Sequence, residues 1–355
     1  MNLEELRKKI DQTDASIVRL ISERIKTAQK IGRHKKEQGK NINDKERERA
    51  VLEHIKGLAR DENISENVIE SIYKPIVIAC KRTQGKEVAF QGEAGAYSEE
   101  AALQFFGSAI TTKPHERLDD VYKAVERDEV QFGIVPVENS LEGSISRSYD
   151  LLLESTLKVC GEIELRVSHC LIANPEARLD LIKRAYSHPQ ALAQCKTFLK
   201  HLGCELIPTN DTAGSVKMIK EKEITDGGAI ASARAAEIYE MKIIASEIED
   251  NPNNYTRFFI LSKEDSPPSG NDKTSIVFSV KHRPKALYDF LKVFATRNVN
   301  LTKIESRPTR QKPWEYNFYL DFEGHREDKA PGEALKDLER NSLFLKILGS
   351  YPRAM

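Results

Sequence analysis

The sequence lacks any apolar run near the ~20 residues that a membrane-spanning helix needs, which argues against an integral membrane protein. Cysteine is scarce, with five residues in 355 and no Cys-x-x-Cys pair, so we expect free thiols rather than a disulfide framework. The eight histidines show no metal-ligand spacing, so we expect no metal site. The first residues show no export-signal pattern, and together these absences favour a cytoplasmic location.

An excess of charge of one sign is also missing, because 55 Lys and Arg residues balance 55 Asp and Glu residues. The chain as a whole therefore gives no reason to expect nucleic-acid or membrane partners. Charged residues at 31% and apolar residues at 39% are typical of folded globular domains. A length of 355 residues predicts two or three of them.

Residues 1–86 have the pattern of three amphipathic helices. Apolar residues recur at steps of three and four over 3–31, which predicts one helix of about 35 residues. Asp44 or Asn43 can cap a second helix, and Ser65 can cap a third. Three helices of such unequal length do not easily enclose a core alone, so we expect an intertwined dimer.

Several cations lie close to the apolar stripe of the first helix. Arg24 falls on the stripe, and Lys35 lies within about 20° of it around the helix axis. Arg7 points roughly 100° away, so one helix cannot direct all three at one point, whereas two antiparallel copies can. Asp44 and Glu48 share one face of the second helix. An anionic ligand between helices would compensate cations that are costly to bury unpaired.

Two other interpretations of these charges stay open. The helices could form a solvated or salt-bridged coiled coil, which is common for charge-rich helices. The 20 basic and 14 acidic residues of the segment, a net charge of +6, could also mark a nucleic-acid patch. Against that patch, no aromatic residue before Tyr73 interleaves with the basic ones.

A resemblance to a known family rests on five short motifs of this segment. They are Leu6-Arg7, Glu23-Arg24, Gly32-(x)2-Lys35, Asp44-(x)2-Arg47-Glu48 and Gln84. In order and spacing they resemble the all-helical chorismate mutases, in which two chains of a dimer share each site. The resemblance implies that Arg24 and Arg7 of a second chain hold the two carboxylates of chorismate.

The same resemblance implies roles for the remaining residues. Lys35 and Gln84 would contact the ether oxygen of the substrate, Glu48 would hold its ring hydroxyl, and Asp44 would support them. The reaction is a pericyclic rearrangement, which gains from a clamped conformation and an electrostatic match to the transition state. It therefore needs no cofactor, nucleophile or base.

Residues 87–265 alternate predicted strands with predicted helices. The predicted strands are Val88–Phe90, Phe132–Val137, Val167–Ile172, Arg184–Tyr186, Gly228–Ala231 and Phe258–Leu261. This alternation predicts α/β units, in which polar loops at the carboxyl ends of strands form a cleft.

Thr256 and Arg257 stand where a polar loop enters the last of these strands. The hydroxyl can donate a proton to a leaving oxygen, and the guanidinium can grip a carboxylate with two hydrogen bonds. A strand that happens to begin with Thr-Arg fits this short stretch equally well. Other loops collect hydroxyl and amide side chains, at Asn139, Ser187, Gln190, Gln194 and Thr212.

Two further features invite a chemical interpretation. His188 could be a general base, but it is at least as compatible with a turn residue before Pro189. The Gly92/Gly95 loop could cradle a phosphate, yet it lacks the lysine of a P-loop and the third glycine of a dinucleotide turn. We therefore expect no nucleotide cofactor.

Five motifs of this segment carry a second resemblance. They are Gly92-(x)2-Gly95-x-Tyr97-Ser98, Val135-Pro136-Val137-Glu138-Asn139-Ser140, Ser187-x-Pro189-Gln190, Gln194-Cys195 and Thr256-Arg257-Phe258. The segment is similar over its whole length to prephenate dehydratases. That implies two α/β subdomains with the substrate between them, Thr256 as proton donor to the departing hydroxide, Arg257 as carboxylate anchor and Phe258 as apolar wall. The loop residues Asn139, Ser187, Gln190, Gln194 and Thr212 would orient prephenate.

A Pro/Ser-rich linker, residues 266–272, precedes the third segment, residues 273–355. The predicted order βαββαβ is that of a ferredoxin-like domain. It resembles an ACT domain, a small module that binds amino acids at subunit contacts. Glu305-Ser306-Arg307-Pro308 matches the phenylalanine-binding motif of dehydratases, whereas Lys285 before Ala286-Leu287 replaces a glycine of the other motif. The lysine side chain could crowd the ligand, so an ACT fold kept only for dimer contact stays an alternative.

Taken together, the sequence predicts an all-α domain, an α/β cleft domain and an α+β ACT domain. Their function would be to convert chorismate to prephenate and prephenate to phenylpyruvate, without a cofactor, in a homodimer or larger homo-oligomer inhibited by L-phenylalanine. A non-enzymatic sensor built from the cleft and ACT domains would leave Arg7, Arg24 and Lys35 unexplained. A nucleic-acid-binding regulator is the third interpretation.

Overall fold

The structure is a computed structural model that describes residues 2–37, 45–82, 86–108, 110–281, 283–309 and 315–354. Two predicted site residues, Asp44 and Gln84, lie outside the described residues, as do the side chains of Lys35 and Glu48. The chain divides into two compact units. The first comprises residues 1–87 and 106–111, and the second comprises residues 88–105 and 112–355.

The first unit contains the three predicted helices. They are α1 (Leu3–Glu37), α2 (Lys45–Asp61) and α3 (Glu66–Arg82). Lys56 and Glu70 form a 3.0 Å ion pair between α2 and α3, and α3 also contacts α1. Pro75 lies inside α3, as the sequence predicts.

The predicted α/β region contains eleven strands and seven α-helices in its described residues. In chain order they are β1 (Glu87–Gln91), α4 (Tyr97–Phe106), β2 (Thr111–His115), α5 (Leu118–Glu126), β3 (Phe132–Asn139), β4 (Gly143–Ser144), α6 (Ser146–Glu154), β5 (Lys158–Arg166), β6 (Cys170–Ala173), β7 (Arg184–Ser187), α7 (Pro189–Gln194), α8 (Lys196–Leu202), β8 (Glu205–Pro208), α9 (Thr212–Glu221), β9 (Gly227–Ala231), α10 (Ala233–Tyr239), β10 (Lys242–Ala245) and β11 (Tyr255–Ser262). A 3₁₀ turn, Leu179–Leu181, precedes β7.

These strands form two mixed sheets. The first sheet has the order β2-β1-β3-β11-β5, with β4 added beside β3, and the second has the order β10-β6-β9-β7-β8. The chain builds most of the first sheet, crosses to build all of the second, and returns in β11. Because β11 lies between β3 and β5, the last strand of this region is an interior strand of the first sheet.

The remaining residues form the predicted ferredoxin-like domain. Its elements are β12 (Asp272–Ser279), α11 (Ala286–Ala295), β13 (Leu301–Pro308), β14 (Tyr316–Glu323), α12 (Lys329–Asn341) and β15 (Phe344–Pro352). The sheet order is β13-β14-β12-β15, and every pairing is antiparallel. The predicted order βαββαβ is confirmed.

This third sheet packs on the first sheet, and the two share one hydrophobic core. Tyr319 and Tyr351 of the third sheet are buried in the same cluster as Val135 and Phe259 of the first. Gly349 allows the closest approach, since a Cβ there would lie 2.0 Å from the carbonyl oxygen of Val159. The opposite face of the third sheet packs its phenylalanines against α11 and α12.

Two sequence predictions fail locally. The strand predicted over Val167–Ile172 begins only at Cys170, and β5 immediately before it was not predicted.

All five cysteines are free thiols. Within the described part of the chain, none of the helices is both long and apolar enough to cross a bilayer, and no group of three or more His, Cys, Asp or Glu side chains could hold a metal ion.

Candidate active sites

A cavity of about 710 Å³ lies between elements of the first and second sheets. Its walls come from the loop after β1, the ends of β3 and β11, helix α7 and the start of α9. Six of the eight residues predicted for the second site line it. They are Asn139, Gln190, Gln194, Thr212, Thr256 and Phe258.

Thr256 is held by a neighbouring asparagine on the paired strand. The Asn139 amide donates to Thr256 Oγ1 at 3.0 Å and to Asn254 Oδ1 at 2.8 Å. Its own oxygen accepts from the backbone N–H groups of Leu141 and Glu142, which fixes the orientation of the amide. Because Thr256 Oγ1 accepts from Asn139, its proton remains available for an acceptor in the cavity.

A β-bulge brings Asn139 to this face of the sheet. Thr256 pairs with Asn139 and Arg257 with Glu138, but Phe258 pairs with Pro136. Val137, which lies between Glu138 and Pro136 in β3, therefore has no opposite residue in β11. This extra residue reverses the alternation of side chains at that point. Asn139 and Pro136 therefore both face the cavity although they are three positions apart, which would place them on opposite faces of a regular strand.

A buried chain of polar side chains continues from Asn254 into the second sheet. Asn254 donates to Gln194 Oε1 at 3.0 Å, and His169 Nε2 lies 3.0 Å from the same oxygen. Tyr97 Oη lies 2.8 Å from His169 Nδ1 and 2.7 Å from the Ser168 carbonyl oxygen. Burial lowers the pKa of His169, although its bond to Gln194 opposes this, so the ring is neutral at pH 7.

His169, Tyr97 and Asn254 were not predicted individually as site residues from the sequence. One signal for His169 was present, since Ser168 and His169 are polar residues within a predicted apolar strand. His188, which the sequence suggests as a possible general base, is exposed at the cavity mouth. Its Nδ1 accepts from Gln190 N at 3.3 Å. His188 caps α7, as expected for a turn residue before Pro189.

Burial of His169 leads to a prediction on acid stability. The unfolded chain binds a proton near pH 6.5, whereas the folded chain resists it, so stability falls as the pH drops from about 6.5 towards the lower folded pKa. The slope contributed by this ring is at most about 1.4 kcal/mol per pH unit. We expect His169→Gln to lose less stability than the wild type between pH 7.5 and 5.5, as measured by urea unfolding. His188→Gln is the exposed control, and an equal acid loss in all three proteins would contradict the prediction.

Two predicted residues of the second site do not reach the cavity. Ser187 is fully buried and donates to the Ile230 carbonyl oxygen at 2.6 Å, so it joins β7 to β9. Arg257 lies on the opposite face of β11, because side chains alternate along a strand. Its Nη1 is 2.7 Å from Asp321 and its Nε is 2.8 Å from Glu162.

The surroundings of Arg257 correct the expectation that it anchors a substrate carboxylate in the cleft. Burial would lower the pKa of the guanidinium, but Asp321, Tyr351 and Glu162 outweigh burial and raise it, so the group stays charged. Its hydrogen-bonding capacity is directed at these protein partners and away from the cavity.

Packing explains the Gly92/Gly95 loop without a phosphate. Gly95 has φ +89°, and a Cβ there would lie 2.7 Å from Ala235 Cα. Its N–H donates to the buried Glu99 carboxylate at 2.7 Å, and its carbonyl accepts from Ser232. The second glycine is therefore needed for close approach to α10.

In the first unit, Arg24 and Arg7 have different surroundings. Arg24 is partly buried, with Nη1 2.7 Å from Cys80 Sγ and the guanidinium 5.9 Å from the centre of the Tyr73 ring. Arg7 is exposed near the start of the same helix. Seventeen residues separate them, which corresponds to about 25 Å along the helix axis. They cannot meet on one small ligand within one chain.

A second cavity, of about 870 Å³, lies where the third sheet meets α6. Ala286, Leu287, Arg307 and Pro308 of the predicted effector site line it. The other two motif residues do not. Ser306 is exposed, and Glu305 accepts a hydrogen bond from Ser144.

Family models match three consecutive parts of the chain. The chorismate mutase type II model matches residues 6–85, the prephenate dehydratase model residues 88–266 and the ACT domain model residues 274–340.

Individual proteins are similar over most of the chain. A bifunctional chorismate mutase/prephenate dehydratase of Aquifex aeolicus is 40% identical, covering 99% of this chain and 98% of that protein. The chloroplastic arogenate dehydratase/prephenate dehydratase 2 of Arabidopsis thaliana is 45% identical, covering 75% of this chain and 72% of that protein. The crystal structure of a prephenate dehydratase from Arthrobacter aurescens in complex with L-Phe is 32% identical, with a TM-score of 0.69, covering 75% of this chain and 90% of that one.

Proposed function

The chain belongs to the family of bifunctional chorismate mutase/prephenate dehydratases, and we propose that Thr256 is the proton donor of its second reaction. The chain converts chorismate to prephenate and prephenate to phenylpyruvate. The observation that carries the proposal is the hydrogen bond from Asn139 to Thr256 Oγ1, which orients the hydroxyl proton.

In the dehydratase reaction, the bond between the ring and its carboxylate breaks, the carboxylate leaves as CO2, and the electron pair of the bond enters the ring. The C–O bond to the ring hydroxyl breaks at the same time, and the oxygen leaves as water once it has a proton. Thr256 supplies the hydrogen bond and proton to this oxygen, and solvent restores the proton. Aromatisation provides the driving force, so no cofactor is required.

Amide donors and a helix N-terminus replace the arginine that the sequence suggested as carboxylate anchor. Among the described residues that line the cavity there is no lysine or arginine. The helix α4 begins at its wall with Tyr97, and the positive N-terminal end of that helix favours a bound carboxylate. The N-terminus of α9 also lies at the wall, but there the Asp211 carboxylate accepts from the Ala213 and Gly214 N–H groups. The buried Gln194 Nε2 has no described hydrogen-bond partner, so it is a ready donor for a substrate oxygen.

For the mutase reaction, we propose a site shared by two antiparallel copies of α1. One face of α1 exposes large apolar residues, among them Leu3, Ile10 and Leu20, which a second copy would cover. Arg7 of the second copy would then join Arg24 on the two carboxylates of chorismate. The match to chorismate mutases adds Lys35, Asp44, Glu48 and Gln84 to this proposed site.

We further propose that L-phenylalanine binds the 870 Å³ cavity as an inhibitor, in a cytoplasmic homodimer or larger assembly. Leu287, Phe318 and Phe344 on its wall suit an aromatic ring. Arg283 and Glu315, also on the wall, suit the carboxylate and ammonium groups of an amino acid.

Lys285 gives a test of this effector site. It takes the backbone conformation of the glycine it replaces, with φ +67°, and its side chain is exposed. Replacing Lys285 with glycine relieves the backbone strain, whereas the greater conformational entropy of glycine in the unfolded chain opposes this gain. The difference predicts that Lys285→Gly raises the free energy of unfolding by about 0.5–1 kcal/mol. Lys285→Ala keeps the strain and is the control.

Since the lysine side chain points to solvent, phenylalanine affinity should stay within roughly twofold in both variants. Calorimetric titration and denaturant unfolding measure the two effects. If both variants bind phenylalanine far more tightly, the lysine crowds the ligand. If glycine is no more stable than alanine, the strain argument fails.

A coupled assay tests the two activities together. The purified full chain is given chorismate, and prephenate and phenylpyruvate are followed by chromatography with and without L-phenylalanine. We expect both products in succession, with phenylpyruvate suppressed by the amino acid. Failure to consume either chorismate or added prephenate would contradict the proposal.

A further inference from the structure

The face of the first sheet opposite the substrate cavity holds a group of charged side chains, most of them buried, which we name the reverse-face cluster. The first sheet contributes Glu138, Glu162 and Arg257, and the third sheet contributes Lys273, Lys303 and Asp321. Ion pairs between Arg257 and Asp321, Lys273 and Glu162, and Lys303 and Glu138 cross from one sheet to the other.

The cluster begins one residue away from the site residues on both strands. Thr256 and Asn139 form one cross-strand pair, and Arg257 and Glu138 form the next. Since consecutive side chains point to opposite faces, the first pair faces the cavity and the second faces the third sheet. Each charged residue of the second pair is therefore joined through the backbone to a residue of the first pair.

The third sheet holds Arg257 with fixed geometry. Asp321 accepts from Arg257 Nη1 at 2.7 Å, and Tyr351 Oη accepts from Nη2 at 3.2 Å. Ser275 donates to the other oxygen of Asp321 at 2.6 Å, which fixes that carboxylate in turn. The side chains of Arg257 and Asp321 are only 10% and 7% exposed, so solvent screens the pair little.

The third sheet also holds Glu138. Lys303 Nζ donates to its carboxylate at 2.9 Å and to Tyr149 Oη at 2.7 Å. The same ammonium lies 3.4 Å from Glu305, a residue of the predicted effector motif. One lysine therefore joins β13 to the residue next to Asn139.

We propose that Arg257 and Glu138 are positioning residues of the dehydratase reaction, through which the third sheet holds the Thr256–Asn139 pair in its productive geometry. The inference rests on the proposed role of Thr256. It assigns the ACT domain a part in basal catalysis, and it gives any ligand that displaces β13 or β14 a direct route to the proton donor.

A double-mutant cycle tests this inference on the full chain. Asp321→Asn and Thr256→Val are made singly and together, and dehydratase kcat and KM are measured on prephenate. Asp337→Asn is the matched control, because Asp337 pairs with Arg297 within the ACT domain and away from the cluster. Lys303→Gln is the second variant, which reaches the site through Glu138 if Asp321→Asn does not fold.

The expected result is a fall in kcat of about tenfold to 100-fold in Asp321→Asn, with KM close to wild type. In the Thr256→Val background the same change should cost nothing further, because residues that act as a unit are not additive. Asp337→Asn should match the wild type.

Three outcomes overturn the inference. If Asp321→Asn slows the wild type and the Thr256→Val enzyme equally, it damages the fold in general. If it leaves kcat unchanged, the cluster has no positioning role. If it raises KM alone, the cluster affects substrate binding. If Thr256→Val itself leaves kcat unchanged, the proposed donor is wrong and the inference that depends on it fails too. If Thr256→Val is slow and the effects add, only the positioning inference fails.

Discussion

Thr256→Val is expected to lower the dehydratase kcat by about 10²–10⁴-fold, the usual contribution of a positioned proton donor. Valine keeps the shape of threonine and removes only the hydroxyl that Asn139 orients. Substrate contacts from Gln190, Gln194 and Thr212 remain, so KM for prephenate should change little. Initial rates of phenylpyruvate formation measure the effect.

Thr256→Ser is the matched control for this result, because it retains the hydroxyl and loses one methyl group. It should keep most of the wild-type rate, while mutase rates should be the same in all three proteins. A Thr256→Val enzyme with a wild-type kcat would remove Thr256 from the chemistry. A serine variant as slow as the valine variant would show that the methyl group, and not the hydroxyl, matters.

Arg24→Ala is expected to lower mutase turnover by at least about 10²–10³-fold, as removal of one preorganised charge contact to a transition state typically does. The dehydratase rate on added prephenate should be unaffected, since Arg24 belongs to the first unit and the 710 Å³ cavity to the second. Arg7→Ala should have the same effect on the mutase. Lys26→Ala, which removes an exposed cation from the same helix, is the control.

The proposed sharing of each mutase site makes a sharper prediction for the two arginines. In a mixed dimer of Arg7→Ala and Arg24→Ala chains, one site carries both changes and the other carries neither. Co-expression should therefore restore part of the mutase activity that each homodimer lacks. Absence of restoration in a purified mixed dimer would show that both arginines serve a site within one chain.

Local signals explain what could be predicted from the sequence. Ser232 caps α10, accepting from Ala235 N at 3.1 Å, and such a cap can be predicted because it depends only on neighbouring residues. The three helices of the first unit and the βαββαβ order of the ACT domain follow from apolar periodicities of the same local kind.

Tertiary contacts explain what could not be predicted. The strand β5 contains Gly161 and Glu162, which are unfavourable for a buried strand. Gly161 leaves room for the Phe105 ring, since a Cβ there would lie 2.5 Å from it, and Glu162 is paired with Arg257 and Lys273. None of these three partners is near Gly161 or Glu162 in the sequence.

The misassignment of Arg257 has a different origin. Strand alternation already places neighbours such as Thr256 and Arg257 on opposite faces, so only one of them could face the cleft. The two residues are adjacent in the family motif, and motif membership alone does not say which face of the sheet a residue occupies. His169 was missed because its role depends on Gln194 and Tyr97, which only the fold brings within 3.0 Å and 2.8 Å of its ring.

The central claim, that one chain carries two separate sites working in succession, is tested most directly by mixing two disabled proteins. Purified Thr256→Val, which makes prephenate, is combined with purified Arg24→Ala, which consumes it, and chorismate is added. The account predicts that the mixture forms phenylpyruvate, whereas each protein alone, and a chain carrying both changes, forms almost none. A mixture as inactive as the doubly changed chain, although prephenate is released into solution, would contradict it.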